Sequence, residues 1–73
     1  MKLSEVSTFL EELNVKAEVM PDYHKGVFIQ LKGQTEESIK SLCRELGKHY
    51  RIRSKQKIQT DSGITAMIDI KEK

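Results

Sequence analysis

The side chains able to do chemistry are few in this sequence of 73 residues. Cys43 is its one thiol, and His24 and His49 are its two histidines. A reactive thiol needs exposure and a neighbour that lowers its pKa. Cys43 instead shares an i, i+3, i+4, i+7 stripe with Ile39, Leu42 and Leu46, where a small apolar side chain serves equally well. His49 lies about 240° round a helix from it and so points elsewhere. No His, Cys, Asp or Glu spacing supplies a metal-ligand set, so neither a metal nor another cofactor is expected. The carboxylate pairs Glu11–Glu12 and Glu36–Glu37 are adjacent in sequence and cannot face one another on a helix. Gly26, Gly33, Gly47 and Gly63 stand alone, which excludes a phosphate-cradling loop. With no nucleophile, base and orienting group in one pattern, the sequence does not read as an enzyme.

One run rises above this background. From Leu46 to Thr60 there is no acidic residue, while Lys48, Arg51, Arg53, Lys55 and Lys57 bring five positive charges. The chain has 13 Lys and Arg against 11 Asp and Glu, a formal charge of +2. Setting the five aside leaves eight cations against the same 11 acids, so the remainder carries −3. An uneven distribution of this kind speaks of partners rather than of fold.

The elements that position these residues follow from periodicity. Val6, Phe9, Leu10 and Leu13 form one helical stripe within Leu3–Asn14, with Ser4 as cap and Asn14 as left-handed terminator. A second helix carries the Ile39–Leu46 stripe, with Thr35 as its cap, Glu36 and Glu37 in its first turn and Gly47 as its end. The two stripes fall into register at an offset of 33 residues, which suggests two similar halves. After each helix come two strand-like runs. Val15, Ala17 and Val19 alternate with polar positions up to Met20, and residues 21–26 then form a turn containing His24. Val27, Ile29 and Leu31 line one face of the next strand, opposite Phe28, Gln30 and Lys32. In Arg51–Ile58 the residues Ile52, Ser54, Gln56 and Ile58 alternate with Arg51, Arg53, Lys55 and Lys57. Asp61-Ser62-Gly63 turns the chain into a last strand with Ile64, Ala66, Ile68 and Ile70 inward.

The expected fold is therefore a single α+β domain over 1–73, an αββαββ sandwich with two helices on one face of a four-stranded sheet. The apolar strands Val27–Leu31 and Ile64–Ile70 belong at its centre, with Val15–Met20 and Arg51–Ile58 at its edges. This arrangement resembles a circularly permuted ferredoxin-like sandwich whose usual first strand has moved to the C-terminus. The succession of elements also resembles the small initiation-factor-type αββαββ domain, without that family's glycine-rich signature. Neither likeness carries a function by itself.

Composition fits a small globule: 37% of residues are hydrophobic and 33% charged. No apolar run approaches the roughly 18 residues of a membrane span, and no leader is expected at the N-terminus. A lone cysteine points to a reducing, cytoplasmic setting. On the alternation above, Arg51, Arg53, Lys55 and Lys57 share the open side of the sheet with Phe28 and Lys32. Cations beside an exposed aromatic suit single-stranded RNA or DNA, through phosphate contacts and base stacking. The alternative is a protein-interaction module, an adaptor, inhibitor or homodimerising domain that uses the sheet face or an edge strand. Met20, Phe28 and Met67 would then form an apolar patch, and the cations would meet an acidic partner. Charged edges also serve simply to discourage aggregation.

Overall fold

The structure is a computed structural model that describes residues 2–21 and 26–73. Of the turn expected over residues 21–26, residues 22–25, His24 included, lie outside the described residues. The order of elements is α1 (Leu3–Glu12), β1 (Glu18–Pro21), β2 (Val27–Gln34), α2 (Glu36–His49), β3 (Tyr50–Thr60) and β4 (Gly63–Glu72). The strands form one antiparallel sheet in the order β1-β2-β4-β3. The two apolar strands are at the centre and β1 and β3 at the edges, as expected from strand character.

Burial explains the order. Val27, Ile29 and Leu31 of β2 and Ile64, Ala66, Ile68 and Ile70 of β4 are buried under Val6 and Leu10 of α1 and Ile39, Leu42 and Leu46 of α2. No residue of β1 or β3 is fully buried. Strands with a complete apolar face take the centre, because only there are they covered along their whole length. Both helices lie on this one face, and the other side of the sheet is open. Among the described residues no helix is long and apolar enough to cross a membrane.

The ends of α1 differ in how well local sequence sets them. At its C-terminus Asn14 adopts φ 58°, Val15 N–H donates to Leu10 O (2.9 Å) and Asn14 N–H to Glu11 O (3.0 Å). This is the Schellman arrangement expected of a left-handed terminator. At its N-terminus the cap is Lys2, with no side-chain bond, and Ser4 is already inside the first turn. Helix α2 begins as expected. Thr35 Oγ1 accepts from Ser38 N–H (3.1 Å) while Ser38 Oγ accepts from Thr35 N–H (3.0 Å), a reciprocal capping box. It does not stop at Gly47 but runs on to His49 and passes directly into β3. Lys73 Nζ donates to Gly47 O (3.1 Å) and helps satisfy the carbonyls of that last turn.

Strand β1 is shorter than the alternation suggested. Val15, Ala17 and Val19 do pack toward the core, but pairing with β2 begins only at Glu18. At the opposite end of the sheet the two-residue loop Asp61–Ser62 closes β3 onto β4. Gly63 sits there at φ 120°, and its carbonyl accepts from Thr60 Oγ1 (2.7 Å).

Candidate functional site

The side-chain directions along β3 decide what the open face can do, and a bulge sets them. Ile52 pairs with Ile70 and Ser54 with Asp69, so Arg53 is an extra residue with no position of its own opposite β4. Beyond this point the alternation is reversed. Lys55 pairs with Ile68, Lys57 with Ala66 and Gln59 with Ile64, all of which face the helices. Ser54, Gln56 and Ile58 pair with Asp69, Met67 and Thr65, which face the open side.

The four cations therefore do not share a face, contrary to the strict alternation. Arg51 pairs with Lys71 on the open side. Arg53 also reaches the open side, where its Nη2 meets Asp69 Oδ2 and Oδ1 at 2.8 and 3.0 Å. Both side chains are mostly shielded, at 22% and 18% exposure, so the guanidinium is held rather than free to meet a ligand. Gly26 packs against this pair. A methyl group there would meet the Ile70 carbonyl oxygen and come within 3.1 Å of Arg53 Nη2. Lys57 turns the other way, and its Nζ binds Glu36 Oε2 at 2.9 Å at the start of α2. That hydrogen bond, and the charges of Lys57, Lys40 and Lys55, hold the Glu36 carboxyl below its usual range.

The same reversal extends the apolar patch. Met20 pairs with Phe28 across β1 and β2, and Phe28 pairs with Asp69 of β4. Met67, two residues before Asp69, pairs with Gln30 on one side and Gln56 on the other. Ile58, two residues beyond Gln56, completes a diagonal of Met20, Phe28, Met67 and Ile58 that crosses all four strands. Its two ends are its most exposed members, Met20 at 39% and Ile58 at 53%. Uncharged Gln30, Ser54, Gln56 and Thr65 flank the diagonal. Lys32 lies toward one end, in a shallow recess with Glu18 and Gln30, and Arg51 and Lys71 lie at the other. Met20, Phe28 and Met67 are thus together on one face as expected. Ile58, expected inside, joins them.

Cys43 and His49 sit on the helix side. Cys43 is a free, half-buried thiol packed against the core. Burial pushes its pKa up, and the charges of Lys55 and Lys57 oppose that rise. His49 stands edge-on to Phe9, with ring centroids 5.2 Å apart, and Phe9 stands edge-on to Tyr50 at 5.9 Å. This aromatic cluster ties α1 to the α2–β3 junction. Burial, and then the charge of Glu5, raise the Tyr50 pKa. Nothing in the apolar stripes signalled the cluster, because it forms between two elements distant in sequence. Among the described residues no group of three or more His, Cys, Asp or Glu is placed to hold a metal ion.

Comparison of the chain with protein-family models, with curated proteins and with solved structures returns no match.

Proposed function

We propose that the chain is a non-enzymatic binding module that engages another protein through the open face of its sheet. The observation that carries this reading is the placement of Ile58. The bulge turns an isoleucine outward, where it extends Met20, Phe28 and Met67 into one apolar diagonal. A contiguous apolar strip with a polar rim is the usual mark of a protein contact. Four strands about 4.8 Å apart and roughly five residues long offer on the order of 300 Å² of face per partner, which suits a weak, transient complex. A free, half-buried Cys43 agrees with a reducing, cytoplasmic setting.

Affinity capture from an extract of the source cells tests the reading. Partners retained by the unaltered protein should be lost with Met67→Asp and with Ile58→Asp, and kept with Lys55→Gln. Equal retention by all three variants refutes it.

A second reading keeps the nucleic-acid expectation on a smaller set of residues. Phe28 lies on a central strand, and Arg51, Lys71 and Lys32 bound the face around it. Three phosphate contacts on a single strand give a salt slope of about −2 on a log–log plot. Fluorescence anisotropy with labelled single-stranded RNA and DNA measures that slope. No binding by micromolar protein at about 50 mM salt removes this reading.

A further inference from the structure

We infer that the outer edge of β3 accepts an acidic, extended segment of another protein as a fifth strand. This goes beyond the open-face reading, since it concerns the edge of the sheet and not its face. Strand β3 is last in the sheet order, and every residue of Ser54–Thr60 is exposed. Along such an edge the outward N–H and C=O groups of alternate residues are free to form a further ladder. The opposite edge cannot do the same. Strand β1 has only four residues and ends at Pro21.

Charge selects the occupant. On the helix side this edge presents Lys55 and Lys57 two residues apart, about 6.6–7 Å along the strand. Lys40 of α2 reinforces them, since its charge and those of both lysines reach Glu36. Antiparallel self-pairing of two β3 edges would set lysine against lysine on this side, and opposed like charges destabilise a ladder. A second copy is therefore repelled. A strand carrying carboxylates at alternate positions is attracted by the same two lysines. Lys57 must share its Glu36 contact, at little cost because that ion pair is exposed. The intervening side chains of the incoming strand would lie beside Ile58 and Gln56 and extend the open face. An apolar residue next to Ile58 is favoured there, so the recognised pattern alternates acidic and apolar residues.

The probe is a capped peptide alternating glutamate and valine, matched in length to Ser54–Thr60, titrated into the 15N-labelled full chain. Amide shifts should concentrate on Ser54–Thr60, with a dissociation constant of about 10–500 μM. Lys55→Gln should weaken binding about threefold to tenfold, and raising salt from about 20 to 500 mM should weaken it by a similar factor. N-methylation of the peptide along one edge should abolish it. Four outcomes overturn the inference: no shifts up to about 1 mM peptide, equal binding of a lysine–valine peptide, no loss on N-methylation of either edge, or tighter binding of a single-stranded oligonucleotide at Lys55 and Lys57. Shifts confined to Met20, Phe28 and Met67 would also overturn it, while leaving the open-face reading intact.

Discussion

The reversed alternation of β3 has a chemical consequence at a residue that is not on β3. If Lys55 and Lys57 face α2, their charges reach the Cys43 thiol. If they lay on the open side with Arg51, the sheet would stand between them and α2. The perturbation is the double variant Lys55→Gln, Lys57→Gln, with Arg51→Gln as the control on the opposite face. A unit charge about 8 Å away in a water-like dielectric stabilises a thiolate by about 0.5 kcal/mol. Removing two such charges costs the thiolate about 1 kcal/mol, a roughly fivefold fall in its population well below the thiol pKa. The more basic thiolate is a better nucleophile, with a Brønsted slope of about 0.4–0.5, which returns about half of the loss on a logarithmic scale. The net expectation is alkylation by iodoacetamide slowed about twofold to threefold at 10 mM salt, where screening extends over some 30 Å. At 1 M salt the screening length is about 3 Å and the difference should vanish. The assay follows the second-order rate at pH 7.5 by mass spectrometry, with far-ultraviolet circular dichroism confirming that each variant is folded. Unchanged rates in the double variant at low salt, or an equal slowing by Arg51→Gln, would refute the placement of these lysines.

Four further outcomes follow from local geometry. Gly26→Ala should destabilise by about 2 kcal/mol or more in urea denaturation, because its methyl group meets the Ile70 carbonyl and crowds the Arg53–Asp69 pair. Gly47→Ala should stabilise by about 0.5–1 kcal/mol, since that position is helical and nothing lies within 4 Å of the added carbon; opposite signs at either site would count against the backbone described for it. Thr35→Ala should cost about 1 kcal/mol, and adding Ser38→Ala should cost less than the sum of the separate effects because the two bonds form one reciprocal box. The Glu36 carboxyl, held low by Lys57, favours the folded state above the ordinary carboxylate range, and that contribution fades as pH falls through its folded pKa. Lys57→Gln should therefore move its NMR titration upward; an unmoved titration would show that the ion pair is not populated in solution.

The sequence reveals the layers and the central strands of this fold, and it conceals the phase of one edge. Strands β2 and β4 were legible because apolar residues at every second position fix which face is buried, and a one-residue slip would put a whole row of isoleucine and leucine into water. Asn14 and Thr35 were legible because a left-handed terminator and a capping box are made by residues close in sequence. Ser4 and Gly47 misled because cap-type residues also sit inside helices where the flanking turns continue. Strand β3 carries almost no phase information. After Ile52 the two candidate inward sets are Ser54, Gln56 and Ile58, or Lys55, Lys57 and Gln59. Neither is apolar enough for burial to enforce a choice, and the lone Ile58 argues for the wrong one.

Arg53 is displaced from the ladder, and its guanidinium is held by Asp69, 16 residues away in sequence, beside a glycine that leaves it room. A weakly patterned edge strand can therefore take either phase at little cost to the core. That freedom bears on function, because the phase decides which side of the sheet receives the lysines and which receives Ile58. With the bulge, the open face gains an isoleucine and loses two cations, and the helix side of the edge gains a pair of lysines at strand spacing. One inserted residue thus separates an apolar face from a basic edge. On an unbroken strand the same side chains would have made a single basic face.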